Sequence, residues 1–394
     1  MSNPLLSRTF KFDLKKDIAP VLLYSIILFI VLVFGTMGAA IDLRGDIFEP
    51  NNIEYLNFEF WNNALVYPYS GLFIVMIFAT FTGIYQFKFL HNKKQVDFMQ
   101  SLPQNRIKIF TTRYVLGALE IIVPYVVAII LGSLVAAGLA PCSGVLPRVV
   151  IGCILTIIYA LMFYSISILA TCISGNGFTG ICGILVLHFV TSVIGLMLDI
   201  ALEVIYTFKG EYDGWYDNYI DTIGYKISDK LGEFNVFAEM YKVRVDYFDM
   251  NYPMHYYDSV GYKSDYFDKA NIDFVPVRVC IYIAVLAFLV GMAILAYRKA
   301  KLERCTEAFY YTWLETLFAI LVTEIAGFFT AVAIGYMFSG LAIFLTLISV
   351  FVTHGIVEFV HTRDIKKTFR HKVRLILCMI MPLIFAIMQV ANNG

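Results

Sequence analysis

Charged side chains are scarce in this chain: Asp, Glu, Lys and Arg make up 15% of its 394 residues, against about 25% in a water-soluble domain. The deficit excludes a chain solvated by water over most of its surface. The phosphate-cradling pattern G-x-x-x-x-G-K-[ST] is missing, so this chain does not hold a nucleotide by that route. Cysteine is thin and scattered: there are seven, none in a C-x-x-C pair, which excludes a disulfide framework and a zinc site of that kind. Only Cys142 falls in a gap between apolar runs on the acidic side, and the other six lie in or beside those runs, where a thiol behaves as a small apolar group. Low-complexity tracts are absent, and so is an internal repeat of the sort secondary transporters carry.

What is present is apolar. Residues of the AVILMFWYC set form 59% of the chain and the mean hydropathy is +0.73. Nine apolar runs, each near the ~20 residues that a helix needs to cross a bilayer, lie at Ile18–Ala40, Tyr69–Phe87, Val115–Leu139, Val149–Ile173, Phe178–Ile205, Pro276–Ala296, Trp313–Phe338, Gly340–Val360 and Leu375–Ala391. The first is too long for the apolar core of a secretory signal, and Gly38-Ala39-Ala40 is a weak cleavage site, so it reads as an uncleaved anchor.

Lysine and arginine sort into alternate gaps. Of the 30, 20 lie in residues 1–17, 88–114, 297–312 and 361–374, with only six acids among them. Residues 41–68, 139–148 and 206–275 hold nine bases against 18 acids. Basic loops stay in the cytoplasm, which predicts a cytoplasmic N-terminus, acidic gaps outside and an extracellular C-terminus. The net charge of zero cancels across the two sides and says nothing about partners. The fold class is an all-α polytopic membrane protein of about nine transmembrane helices. Its parts are a cytoplasmic segment 1–17, helices 1–5 over 18–205, an extracellular insertion 206–275, helices 6–9 over 276–391, and the end at 392–394. The insertion is acidic and carries 12 of the chain's 26 tyrosines. It reads either as an amphipathic lid at the headgroup boundary, where Tyr and Trp settle, or as a surface that meets a substrate or a toxic peptide.

The most specific stretch is the coupling region 86–114. Phe89, Val96 and Met99 recur at helical spacing, with Lys88, Lys93, Lys94 and Asp97 on other faces. Pro103 disfavours helix at Leu102, and Asn105 suits the cap of a second helix opening at Arg106. Two short helices across the inner mouth of spans two and three are expected. A mere connection would be shorter.

The string HNKKQVDFMQSLPQNRIKIFTTRY resembles the cytoplasmic coupling region of membrane subunits from Gram-positive type-2 ABC exporters. YRKAKLERCTEAF after the sixth run and HGIVEFVHTRDIKKTF at the end of the eighth resemble the same group. The resemblance implies a permease subunit without catalytic residues of its own, with ATP and magnesium bound on a partner ATPase. It maps His91, Asn92, Lys93, Lys94, Asp97, Phe98, Ser101, Leu102, Pro103 and Arg106 onto the element that docks that ATPase. It further implies a second permease subunit, export of an apolar or amphipathic substrate such as a peptide, drug or lipid, and residence in the bacterial cell membrane. The importer variety is disfavoured because E-A-A-x-x-x-G is absent. Two departures stand out. A minimal exporter subunit has six spans against nine here, and relatives with the extra spans often continue into an extracellular domain, whereas this sequence stops at Gly394.

Charge within a membrane span is costly and normally faces protein. Glu120, Glu315, Asp199, Glu203 and Glu358 sit near run ends, from which side chains reach headgroups. Glu324 and His188 each lie 11 residues from the inner end of their spans, counted from Trp313 and Gly177, roughly 16 Å deep at the helical rise, and could meet at mid-membrane. They read as an ordering interhelical bond, as a wall of a transport path, or as a proton relay. His354, Glu358 and His361 form one helical stripe, an interfacial polar edge or a three-ligand metal site; no metal is assigned. Ser174-Gly175-Asn176-Gly177 reads as a tight turn. Besides the ATP-driven permease, the competing functions are an ion-coupled secondary transporter working through Glu324 and His188, an intramembrane enzyme using the His354 stripe, and a peptide-sensing or resistance module built on the 206–275 cap. Nothing points to nucleic acid.

Overall fold

The structure, a computed structural model, describes residues 18–38, 69–101, 105–139, 146–208, 226–227, 274–300, 302–337, 339–362 and 371–393. Nearly all of them are helical, as lipid requires, because a helix satisfies its own backbone polar groups where no water is available to do so. The helices are α1 (Ile18–Gly38), α2 (Tyr69–Phe87), α3 (Lys93–Ser101), α4 (Arg106–Leu139), α5 (Leu146–Ile173), α6 (Gly177–Phe208), α7 (Phe274–Lys299), α8 (Thr312–Met337), α9 (Ser339–Thr362) and α10 (Lys372–Asn393). Eight, α1, α2 and α4–α9, are long and apolar enough to cross a membrane, which makes the chain a multi-pass membrane protein. The ninth run, Leu375–Ala391, is helical as α10 but is not one of those eight. The 41–68 gap, almost all of the 206–275 insertion, and the docking candidates Leu102 and Pro103 lie outside the described residues.

The second short helix expected at Arg106 is not separate. It is the opening of α4, which continues unbroken for 34 residues. No breaker separates Arg106 from Val115, and Pro124 is accommodated inside the helix. The cap at Asn105 is as expected: its side-chain oxygen accepts from the Ile107 amide at 3.2 Å and its carbonyl from the Lys108 amide at 2.9 Å.

The chain divides into two compact units. The first comprises residues 1–89, 94–172 and 240–299. Close approach in it relies on small residues, the means by which helices associate in lipid. A Cβ on Gly83 of α2 would stand 2.7 Å from Ser167 Cβ and 3.0 Å from the Tyr164 carbonyl of α5, and one on Gly117 of α4 would collide with the Tyr164 phenol. Tyr24 of α1 stacks on Phe78 of α2 at 3.8 Å between centroids. Hydroxyls of Thr80, Thr156, Ser165, Ser167 and Thr171 donate to the carbonyl one turn back, which satisfies these donors within the apolar medium.

The second unit comprises residues 90–93, 173–239 and 300–394. Here α8, α9 and α10 pack together, with Phe328 of α8 edge-on to Phe385 of α10 at 4.8 Å. Met197, Ile200 and Ala201 of α6 cover that cluster. Gly327 of α8 lets Val350 of α9 and Pro382 of α10 close in, since a Cβ there would lie 2.5 Å and 2.8 Å from their side chains.

Replacing Gly83 by Val forces α2 off α5. The expected loss is about 1–3 kcal/mol, read as a lower unfolding midpoint in detergent, while Gly138→Val, where a Cβ meets nothing within 4 Å, leaves the midpoint in place.

Candidate functional site

The coupling region grows from a rigid root in the first unit. Phe87 at the end of α2 and Phe89 in the following 3-10 turn (Lys88–His91) are both buried. Phe87 packs on Phe110 of α4 at 5.1 Å, and Tyr297 of α7 meets Phe87, Phe89 and Phe110 at 6.2, 6.5 and 5.6 Å. Arg113 lays its guanidinium 4.6 Å from the Phe89 ring centre and donates to the Gln86 carbonyl at 2.7 Å. One cation thus caps the C-terminal end of α2, where orphan carbonyls gather, and covers an aromatic face. The Gln86 amide donates to Glu120 at 3.0 Å. Tyr164 of α5 donates to the carbonyls of Arg113 and Tyr114, and Tyr114 bonds Ser165 at 2.9 Å.

From this root α3 projects with two faces. Val96 is buried, whereas Lys93, Lys94, Asp97, Phe98 and Ser101 are exposed. Lys94, Asp97, Phe98 and Ser101 fall within one ~100° arc of a helix. Phe98 is 63% exposed, an aromatic ring held away from the core beside a carboxylate and an ammonium. Arg106 does not share that face. Its guanidinium donates to the carbonyl of Arg298 at the end of α7, 3.3 Å away.

His91 belongs elsewhere. The chain enters the second unit at Leu90 and leaves it after Lys93, and there the turn is held by two other loops. His91 Nε2 bonds the Ser174 hydroxyl at 3.2 Å. The Leu90 carbonyl accepts from the Tyr310 hydroxyl at 2.5 Å and from the Cys305 thiol at 3.2 Å. The two loops are laced to each other as well: the Gly175 amide donates to Ala308 at 3.0 Å, the Thr306 amide to Gly175 at 2.8 Å and the Tyr310 amide to Ile173 at 3.0 Å. Asn176 and Thr179 side chains add bonds to the Glu307 and Ala308 carbonyls. A Cβ on Gly175 would stand 2.5 Å from the Glu307 carbonyl oxygen, so glycine is there for close approach as much as for the turn. Thr306 adopts φ 84°, a left-handed conformation that β-branched residues rarely accept. The sequence reading of 174–177 as a plain turn missed this junction; the available signal was glycine facing a loop rich in small residues and tyrosine.

Charged residues of the second unit form a ladder into its interior. Arg304 pairs with Glu307 and, at 2.9 Å, with Glu315 of α8; Arg374 of α10 pairs with Glu358 of α9; His354 Nε2 lies 3.7 Å from Glu358. Side-chain exposure falls from 50% at Glu307 to 1% at Glu358 and 0% at His354. Reading Glu358, Glu315 and Glu120 as reaching for headgroups is therefore corrected: each has a protein partner, Arg374, Arg304 and Gln86 respectively. A short carboxylate near such a partner gains more from it than from stretching toward the boundary. His361 lies on α9, and among the described residues no three His, Cys, Asp or Glu gather as a metal site would need. His188 on α6 is buried and Glu324 on α8 half-buried.

Two tests follow. Tyr310→Phe or Gly175→Ala loosens the junction by about 1–3 kcal/mol, visible as faster amide exchange across residues 90–93, 173–177 and 302–310 together. Glu358→Gln or Arg374→Gln alone costs about 3–5 kcal/mol by leaving a buried charge unmatched, and Glu358→Leu with Arg374→Met recovers most of it; strictly additive losses in unfolding titrations would contradict the pairing. Comparison of the chain with family models, with characterised proteins and with solved structures finds no match.

Proposed function

We propose that this chain is the permease subunit of an ATP-driven ABC exporter in a bacterial plasma membrane. The observation that carries the reading is α3, a short amphipathic helix standing between two membrane crossings on a root of packed aromatics, with Phe98, Asp97 and Lys94 turned outward. A large apolar side chain ringed by charges is the composition of a binding hot spot rather than of a connecting loop. In this reading ATP and magnesium sit on a separate ATPase subunit, in keeping with the lack of a phosphate-binding loop in this chain. In this reading α3 is cytoplasmic, as the basic gaps favour, where such a partner resides, with the N-terminus inside and the C-terminus outside after nine crossings.

In this mechanism the partner ATPases approach one another on binding ATP and carry α3 with them. The handle is short and firmly rooted: Arg113, Gln86 and Phe89 tie it to α2 and α4 of the first unit. Displacement of α3 therefore moves crossing helices instead of being absorbed in slack loop. A second permease chain supplies the other wall of the path, and the apolar spans suit an apolar or amphipathic cargo. The ion-coupled alternative, working through Glu324 and His188, finds less support, because the chain lacks an internal repeat of the sort secondary transporters carry. The peptide-sensing alternative rests on residues 206–275, nearly all outside the described part.

Affinity purification of the tagged chain from its native membrane tests the reading. An ABC ATPase subunit is expected to co-purify, with Phe98→Ala weakening the complex about 30-fold, the size of a ~2 kcal/mol hot spot, and Asp97→Lys weakening it further. Absence of an ATPase, or indifference of the complex to both changes, would sink the assignment.

A further inference from the structure

We infer that the seam between the start of α4 and the end of α7, within the first unit, binds the phosphate of an anionic membrane lipid. The bond from Arg106 to the Arg298 carbonyl holds the α4 guanidinium at the C-terminal end of α7, where Arg298 and Lys299 form the last turn. All three are exposed. Three cations thus collect at one end of two packed helices.

None of these three is paired with a carboxylate among the described residues. The first unit has only two acids in its described part, Asp97 and Glu120. Asp97 is on the outward face of α3, and Glu120 is buried and accepts from Gln86. The partly negative end of α7 offsets some of the charge, and Arg106 already occupies one of its carbonyls. Like charges gathered at the edge of a low-dielectric medium repel, and an anion seated beside them relieves that repulsion. Basic clusters between membrane helices are where anionic headgroups settle.

The apolar surface beside the cluster says which anion. Phe288, Met292 and Leu295 of α7 recur at i, i+4 and i+7 and are 65%, 40% and 46% exposed. That stripe ends one turn before Lys299. In a chain that crosses the membrane it lies against acyl chains, so tails and phosphate are held by the same helix. A free phosphate would use only the cations. The site is independent of the transport reading and needs no ATPase.

The test uses the purified full chain and phosphatidylglycerol or phosphatidylcholine of matched acyl length, with bound lipid counted by native mass spectrometry. Wild type is expected to prefer phosphatidylglycerol about tenfold, and Arg298→Gln with Lys299→Gln to bring the preference close to unity, each base near an anionic headgroup contributing measurably. Lys372→Gln, at the exposed start of α10, serves as the charge control and should keep the preference. Thermal midpoints in phosphatidylcholine establish that the variants fold. Equal affinity of wild type for the two lipids overturns the proposal, as does a preference that survives the double variant. Displacement of phosphatidylglycerol by millimolar inorganic phosphate would assign the site to the free ion and overturn the lipid assignment.

Discussion

A helix surrounded by hydrocarbon cannot pass an unsatisfied polar group to water, so each donor and acceptor must be met from inside the protein. Much of what distinguishes this molecule follows from that constraint. Serine and threonine hydroxyls fold back onto their own helices. The Thr330 and Ser349 hydroxyls bond across α8 and α9 at 2.8 Å. Glu120 sits against the Gln86 amide, and Glu358 against the Arg374 guanidinium. A buried charge pair gives little net stability compared with apolar packing, yet loss of either member is severe. Such pairs therefore fix which helices neighbour each other more than they strengthen the whole.

The two units meet this constraint differently. In the first, aromatic rings and a single arginine organise the basic end: Phe87, Phe110 and Tyr297 form the packed centre, and Arg113 covers Phe89 while capping α2. In the second, loops do the work that rings do in the first. Backbone bonds lace 173–177 to 302–310, side chains of Ser174, Cys305 and Tyr310 grip the Leu90–His91 turn, and charges continue the series toward His354. Loops held this tightly lose the slack that connecting segments normally have.

Much was legible from residues alone where a periodic or compositional signal was strong. The runs at Val149–Ile173 and Phe178–Ile205 reappear within three residues as α5 and α6, because bilayer thickness sets a length that the sequence must meet. Phe89 and Val96 are buried as their spacing indicated, and Asn105 caps the helix that follows. The long α4 was harder to see: Arg106, Lys108 and Arg113 lower the local hydropathy, yet charge does not end a helix, and the true start lies nine residues before the apolar run. Arg106 was grouped with the docking residues by its position in a motif, whereas its side chain turns to α7.

The amino-acid sequence by itself determined that this is a multi-pass helical membrane protein, with its bases concentrated in alternate gaps and a short amphipathic helix between the second and third apolar runs. Those are one-dimensional properties, set by hydropathy, period and charge order. Only the tertiary structure decided which distant residues meet: Leu90 with Cys305 and Tyr310, Gln86 with Glu120, Glu358 with Arg374, Arg106 with the end of α7. The apolar faces of these helices are nearly interchangeable to lipid, so hydropathy carries no information about neighbours. Partners are chosen by the fit of small residues at Gly83, Gly117 and Gly327 and by the pairing of a few polar groups, which exist only once the helices are side by side.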